Sequence, residues 1–364
     1  MPRPSSSDIM SVARALRLGV FEFRWRAEEE AWLPRFKGST IRGALGWAFK
    51  RVVCIRADGN CACCLVRSLC GYPYVFETPP PAEVPAFRGQ RTAPHPYVLE
   101  PPLEEKEHYA PGEPLSFGLL LLGRALTYLP YLVVAVEQAG RRGLGRGRAR
   151  FALDAVVARE VSGVSSRSGD PGGESRARSI TIYDGSSGRI TWNMEAASLE
   201  ALIRERQLRL DRHVSHRVRL RVLTPVRVRI DGDLQADLPF DLLVRSVLRR
   251  LWQLALVHGE NAPPFDPRPW IERACAVPTV RQALVWRDWE RYSHRQRTKM
   301  RLGGVVGEIE YELREEDLVL FLPLLIIGEL LHVGTATTFG LGKYEIRVSE
   351  SPEKESRTTG SDLQ

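Results

Sequence analysis

Apolar and polar residues follow two distinct periodicities in the first half of the chain, and together they predict five regular elements. Alternation along the chain predicts strands, whereas apolar residues at every third or fourth position predict helices. A strand is expected over Val12–Phe23, followed by a helix over Thr40–Val53. A strand over Leu115–Leu122, a helix over Leu126–Ala139 and a closing strand over Ala149–Val157 complete this half.

The second half shows the same succession of patterns. Val218–Ile230 predicts a strand with alternating arginines, and Leu242–Val257 predicts an amphipathic helix. A strand over Gly304–Leu313, a helix over Glu316–Leu331 and a closing strand over Lys343–Val348 follow. We interpret the two halves as an internal duplication.

Each half begins with a strand and a helix and ends with a helix, a glycine loop and a strand, and strands such as Leu115–Leu122 and Gly304–Leu313 lie between; we interpret this succession as the order βαββαβ. This order predicts the α+β fold class, with tandem ferredoxin-like (RRM-like) domains that each have one open sheet face. The expected N-terminal domain covers residues 1–212, with a Cys-rich insertion at 54–76. The expected C-terminal domain covers 213–350, and the polar tail 351–364 is expected to be disordered.

Two further segments stand outside the duplicated pattern. Thr78–Pro114 is proline-rich and is expected to run over the surface in extended form. Ser162–Ser179, rich in serine, glycine and arginine, is expected to be a mobile loop.

Composition narrows the classes of partner. The 364 residues include 52 Lys+Arg and 44 Asp+Glu, a net charge of +8, which favours nucleic acid first and a membrane surface second. A hydrophobic content of 43% excludes a disordered or collagen-like chain. Because no apolar stretch approaches the ~20 residues of a membrane span and no signal-peptide core is visible, we expect a cytoplasmic protein without membrane association.

Five of the six cysteines fall within a short, turn-rich stretch. Cys54, Cys61, Cys64 and Cys70 have the spacing C-x6-C-x2-C-x5-C, and four thiolates suit tetrahedral zinc. The sequence therefore predicts a structural zinc knuckle, while an iron–sulfur cluster and a loop of unligated thiols stay open as alternatives. Cys275, among apolar residues, is expected to be a small buried side chain.

The segment Trp286–Arg301 combines cations with aromatic rings. Cations neutralise phosphates and aromatic faces stack on unpaired bases, so the segment indicates RNA binding. The alternative is a basic strand and loop with structural aromatics. The candidate RNA contacts here are Tyr292, Arg295, Arg297 and Lys299.

The glycine loops and the start of the first predicted helix are candidate phosphate sites. Glycines let backbone N–H groups approach a phosphate, and a helix start favours anions, although capping and turns also use these residues. Gly342-Lys343 precedes Tyr344 and its loop follows a helix, so the loop does not fit the P-loop motif and a P-loop NTPase is not expected. The candidate residues are Lys37, Arg42, Arg141, Arg142, Arg146, Gly334, Thr337, Thr338, Gly340, Gly342 and Lys343.

Two histidines have a context that suits proton transfer. His332 directly precedes the second glycine loop, and His294 lies inside the basic segment. Imidazole can act as base or acid near neutral pH. No Ser-His-Asp or H-E-x-x-H arrangement is visible, and no carboxylate cluster indicates a two-metal nuclease.

Together these segments resemble the CRISPR precursor-RNA processing endoribonucleases of the RAMP superfamily, the sixth CRISPR-associated protein family. The resemblance rests on 36–45, the Cys61-Ala62-Cys63-Cys64 stretch with 70–77, 291–296, 303–307 and 332–344. It implies binding of CRISPR repeat RNA and one metal-independent cut per repeat. The products would be a 2′,3′-cyclic phosphate and a 5′-hydroxyl, and no catalytic metal is expected.

The same resemblance sets roles and alternatives. His332 or His294 would act as base or acid, and Lys37 would stabilise charge. Several relatives carry a histidine in or just after the first helix, and Thr40–Val53 contains none. A non-catalytic RAMP subunit of a CRISPR effector complex is the alternative function. A zinc-dependent DNA-binding regulator would explain the cysteines but not the duplication.

Overall fold

The computed structural model describes residues 4–56, 58–159, 179–192, 195–210, 216–230, 232–293 and 298–348. The helices in this part of the chain are α1 (Ser6–Arg14), α2 (Gly38–Val53), α3 (Leu129–Arg142), α4 (Leu199–Leu210), α5 (Phe240–His258), α6 (Arg268–Ala274) and α7 (Glu315–Leu331). The strands are β1 (Arg17–Ala27), β2 (Ala31–Trp32), β3 (Tyr97–Glu100), β4 (His108–Tyr109), β5 (Pro114–Leu122), β6 (Phe151–Arg159), β7 (Ser179–Asp184), β8 (Arg189–Ile190), β9 (Ala197–Ser198), β10 (Arg217–Val226), β11 (Arg229–Ile230), β12 (Asp233–Leu234), β13 (Thr279–Arg287), β14 (Glu290–Ser293), β15 (Thr298–Arg301), β16 (Gly304–Glu312) and β17 (Tyr344–Val348).

The first sheet has the strand order β3-β5-β1-β6-β7-β8, and neighbouring strands are antiparallel. Alternate residues of β1 face a core that α2 and α3 complete. Within it the rings of Phe23 and Phe117, which are register partners, stack 5.1 Å apart. The end of β3 in this sheet and the start of α2, which packs on it, both form part of the candidate site.

The second sheet has the order β13-β16-β10-β17, again antiparallel throughout. In chain order its strands run second, third, first, fourth, and β3-β5-β1-β6 run in the same way. Helices α2 and α3 precede the second and fourth strands of the first set, as α5 and α7 do in the second. The expected mixed α+β class is confirmed.

The N-terminus differs from its prediction. Residues 12–14, expected to begin a strand, end α1, and β1 starts at Arg17. The side chain of Ser5 caps this helix and Asp8 bonds back to the cap backbone, a reciprocal capping box that fixes the helix start. Helices α1 and α4 both contribute to the core that contains α5 and α7. The second core therefore draws on residues from the first predicted domain.

Thr78–Pro114 also differs from its prediction. It contains β3, an edge strand of the first sheet whose Tyr97, Val98 and Leu99 are buried. This run of apolar side chains pairs with Leu119–Leu121 and outweighs the prolines on either side.

Several other expectations have direct outcomes. Cys275 is exposed at the end of the short α6, so its expected burial was wrong. No helix of the described residues is long and apolar enough to cross a membrane. The predicted mobile loop, apart from Ser179, and the predicted disordered tail lie outside the described residues. The boundary at 212/213 lies there too and stays a prediction.

Candidate functional site

The glycine loop 334–342 lies against the first sheet and α2. A Cβ atom added to Gly38 would lie 1.9 Å from the carbonyl oxygen of Phe339. Gly340 has φ +87°, and a Cβ there would lie 2.2 Å from Cδ of Pro101. This close approach brings together the start of α2, the end of β3 and the loop. The loop residues predicted to bind RNA all lie at this contact or beside it, and they are Gly334, Thr337, Thr338, Gly340, Gly342 and Lys343.

Glu100 links His332 and Lys343 at the end of β3. Its Oε1 lies 3.4 Å from Nε2 of His332 and 2.9 Å from Nζ of Lys343. Burial alone would raise the pKa of Glu100, but the His332 hydrogen bond and the Lys343 charge outweigh it and lower that pKa to about 2. The carboxylate is therefore ionised and forms a charged link between the two sheets.

His332 is held in a strained and enclosed position. Its backbone has φ 60° and ψ 160°, a region that is nearly restricted to glycine. Its ring is 0% exposed, and burial lowers its pKa, an effect that the Glu100 bond opposes. Nδ1 lies 3.1 Å from the carbonyl oxygen of Leu341, so both ring nitrogens face acceptors. Only the protonated imidazole can donate to both.

Lys37 is also enclosed. The structure places its side chain at 0% exposure, with Nζ donating to the carbonyl oxygens of Arg35 at 3.1 Å and Glu104 at 2.8 Å. Burial lowers the pKa of Lys37, although nearby glutamates oppose that shift. In this arrangement the amine holds the chain entering α2 and does not face solvent.

Arg42, on α2, has its guanidinium close to both Phe339 of the glycine loop and Phe76. Its guanidinium lies 5.1 Å from the ring centroid of Phe339 and 5.7 Å from that of Phe76. Arg42 Nε is buried and has no hydrogen-bond partner among the described residues. Buried donors without partners are unfavourable, so this region is suited to an additional acceptor.

The first glycine loop lies elsewhere. Arg141 forms an ion pair with Glu137 at 2.8 Å, and the guanidinium of Arg142 lies 3.5 Å from the ring centroid of Trp47. The backbone N–H of Arg146 donates to the carbonyl of Trp32 at 3.1 Å. The three predicted RNA contacts therefore border an exposed surface of α2, α3 and β2.

The basic segment forms a hairpin of β14 and β15, in which Tyr292 and Lys299 are backbone partners. Its base is attached near Lys37, because Trp289 stacks on Phe36 with centroids 3.8 Å apart. Arg287 also pairs with Glu105 at 3.0 Å. His294, Arg295 and Arg297 lie outside the described residues.

The four predicted metal ligands line one small cavity of about 20 Å³, and Lys50, Arg56 and Arg67 line it as well. Cys54 Sγ lies 3.5 Å from the carbonyl oxygen of Arg56, and Cys61 Sγ lies 3.8 Å from that of Gly59. No group of three or more His, Cys, Asp or Glu side chains in the described part of the chain is already arranged around a metal position.

The sequence analysis missed three residues of this region. Glu100 lies in the proline-rich segment, where no element was predicted. Arg249 and Arg250 lie on α5, where amphipathic spacing alone explains their presence. The adjacent pair of arginines, one of them on the inward side of the helix, is a signal that could have identified them.

The chain matches known families in both of its parts. Residues 220–344 match the CRISPR-associated endoribonuclease Cas6 family, and residues 16–176 match a family described as an N-terminal domain. An uncharacterized protein of Archaeoglobus fulgidus is 24% identical over 326 residues, which are 86% of this chain and 93% of that protein.

Solved structures share the fold. A chain of a partial Cas6-RT-Cas1–Cas2 complex superposes with TM-score 0.55 at 13% identity and covers 96% of this chain. This chain spans 48% of the length of that one, and 30% of its counterpart in the Cas6-RT-Cas1–Cas2 complex. Cas6 of Thermus thermophilus superposes with TM-score 0.47 at 15% identity, covering 92% of this chain and 99% of its own.

The residues that match the CRISPR-associated endoribonuclease Cas6 family contain β10, α5, β16, α7 with His332, and the glycine loop.

Proposed function

We propose that this protein cuts CRISPR repeat RNA once per repeat to release mature guide RNA. The RNA's own 2′-hydroxyl attacks the adjacent phosphorus, which gives a 2′,3′-cyclic phosphate and a 5′-hydroxyl. The protein then needs a base, an acid and a cation, and no catalytic metal. The observation that carries the proposal is the Cas6-family match over 220–344, which includes the strained His332 and the glycine loop.

We further propose that the two halves are tandem ferredoxin-like domains that hold the RNA between them. The shared order of β3-β5-β1-β6 and β13-β16-β10-β17, with helices at equivalent places, supports this assignment. The basic hairpin lies beside Phe36. Together with the cations where the glycine loop meets α2, it would contact the phosphates and bases on one side of the RNA.

His332 is the proposed general base or acid, and His294 is the competing residue. Because the His332 ring is enclosed between Glu100 and the carbonyl oxygen of Leu341, RNA must displace the glycine loop to reach the imidazole. Lys37 would need a similar release from its two carbonyl partners to stabilise the transition state. Substrate-driven loop movement is a common way to complete a catalytic site.

Cleavage of end-labelled repeat RNA in the presence of EDTA tests the proposal. We expect one discrete product from wild type, and none when a 2′-deoxy nucleotide replaces the scissile one. His332→Ala should slow single-turnover cleavage by roughly 10²–10⁴-fold with RNA affinity nearly unchanged. Wild-type activity in both His332→Ala and His294→Ala would reject both histidines.

His332→Gly separates the chemistry from the backbone. Glycine adopts this φ and ψ without strain, so this variant should be more stable than His332→Ala while cleaving equally slowly. The exposed His216→Ala is the control and should cleave at the wild-type rate.

The enclosed His332 ring also favours a second candidate function, a non-catalytic RAMP subunit that binds guide RNA within a CRISPR effector complex. Such a subunit would use the same cationic surfaces but would not need an accessible base. Tight binding of repeat RNA by wild type without any cleavage would establish this alternative.

We also propose that Cys54, Cys61, Cys64 and Cys70 hold a structural zinc. Zinc bound to four thiolates carries a net charge of −2, and three cations line the cavity: Lys50, Arg56, which pairs with Asp58, and Arg67, which pairs with Glu77. Binding requires the thiols to turn from their present carbonyl partners and lose their protons.

A further inference from the structure

A pocket of about 560 Å³ lies between α5 and the glycine loop. We call it the arginine pocket, because five arginines line it. Residues 92–95 of the N-terminal part form another wall, so the pocket spans both halves of the chain. No aspartate or glutamate contributes to its lining within the described residues. The arginines are Arg227, Arg229, Arg245, Arg249 and Arg250.

The charge of this pocket is largely uncompensated. Arg250 Nε donates to the carbonyl oxygen of Leu331 at 2.7 Å, but its Nη2 is buried without a partner among the described residues. Burial lowers the pKa of Arg250 to about 10, so the group is still charged at neutral pH. Arg245 lies 3.9 Å from Asp241, and exposed Arg249 forms no ion pair with the described residues. Buried charge without a counter-ion is unfavourable, so an anion in the pocket would stabilise it.

The remaining lining fits an oxyanion as well. Thr337 and Thr338 belong to both the glycine loop and the pocket lining, and both residues are buried. His95 bonds through Nδ1 to the hydroxyl of Thr78 at 2.7 Å, and burial lowers its pKa to about 3, so it adds no charge. Arginine forks match phosphate oxygens in geometry, and the cavity has the size of sites that enclose a small ligand.

We propose that the arginine pocket binds one phosphate group of the RNA. The neighbouring part of the RNA strand would then cross the glycine loop. The inference rests on the proposed function for the identity of the RNA. It adds a separate anchoring contact made by α5, distant in sequence from the basic hairpin. A phosphate here would pair with Arg249 and Arg250 and would hold residues 92–95 and the loop together.

The test uses Arg249→Gln, because this exposed side chain has no hydrogen-bond or ion-pair partner among the described residues that the substitution would remove. The control is Arg189→Gln, which removes the same charge from the exposed β8 outside the pocket. Affinity is measured with a 2′-O-methyl repeat RNA, which keeps every phosphate but cannot be cut. Arg249→Gln should bind about tenfold more weakly. The slope of log affinity against log salt should also fall by about 0.7, while Arg189→Gln matches wild type.

A scan of single neutral methylphosphonates along the same RNA locates the contact. At one linkage the neutral group should weaken wild-type binding about as much as Arg249→Gln does, and should have no further effect on that variant. Unchanged affinity and salt slope in Arg249→Gln, or equal losses in Arg249→Gln and Arg189→Gln, would overturn the proposal.

These results are independent of cleavage. If wild type fails to cut unmodified RNA while Arg249→Gln loses affinity, the proposed activity fails and the phosphate site stands. If wild type cuts RNA and Arg249→Gln binds like wild type, the activity stands and the phosphate site fails.

Discussion

Gly38 and Gly43 lie five residues apart on α2 but have different surroundings. A Cβ at Gly38 would meet the backbone of Phe339, whereas nothing lies within 4 Å of a Cβ at Gly43. Gly38→Ala must push the glycine loop away and should lower the free energy of unfolding by about 2 kcal/mol. Gly43→Ala should raise it by roughly 0.5–1 kcal/mol, because alanine favours the helix. Urea denaturation measures both, and equal effects would show that the loop does not rest on α2.

At the scale of single residues, the sequence indicated which side chains are capable of proton transfer or charge stabilisation. It did not indicate whether those side chains are accessible to a substrate. His332 and Lys37 were chosen for their place beside a loop and a helix start, and both lie in this region. Their burial depends on Glu100 and Glu104, which lie more than sixty residues from Lys37 and more than two hundred from His332. Sequence spacing cannot show such contacts, and the role of both residues stays a prediction.

Elements with strong periodicity were predicted well. The helix expected over Thr40–Val53 is α2, and the strand expected over Leu115–Leu122 is β5 with one more residue. Helix α1 was missed because its apolar residues were assigned to the following strand, although Ser5 and Asp8 form a recognisable capping signal. Strand β3 was missed because four residues between prolines carry too little periodicity to oppose the composition.

The cysteine loop provides a prediction for a single element. The loop has little core of its own, since Ile55, Leu65 and Leu69 are largely exposed, so bound zinc should stabilise it. Protein purified without air should contain ~1 zinc per chain by elemental analysis. Cys64→Ser should lose the metal and melt several degrees lower.

Cys63→Ser is the matched control, because Cys63 is exposed and does not line the cavity. It should keep both the metal and the melting temperature. Iron in place of zinc would indicate the iron–sulfur alternative, and metal-free wild type would contradict the proposed site.

At the scale of the whole molecule, buried neutral histidines make stability depend on pH. Burial lowers the pKa of His258 to about 4, and that of His95 to about 3. The neutral His258 ring is fully satisfied by the hydroxyl of Tyr74 at 3.0 Å and the carbonyl oxygen of Pro94 at 2.8 Å. Below about pH 6.5 the unfolded chain binds protons that the folded chain excludes, so stability falls as pH falls.

For His258 alone this difference amounts to about 2 kcal/mol at pH 5. His258→Gln should therefore lose about 2 kcal/mol less than wild type between about pH 7.5 and pH 5, as measured by urea denaturation. The exposed His216→Gln should follow wild type. Identical pH profiles for His258→Gln and wild type would show that His258 is not held neutral. At pH 5 the lowered pKa of Glu100 contributes little, so the histidines dominate this range.

The placement of α1 has a consequence for biosynthesis. This helix is translated before α5 and α7, yet the side chains of Ile9 and Val12 pack in the core that those two helices complete. Helix α1 packs on α4, α5 and α7, so until α7 has been translated part of the native surface that covers these apolar residues is missing. Helix α1 therefore reaches its final place only after α7, more than 300 residues later in the chain, has been translated.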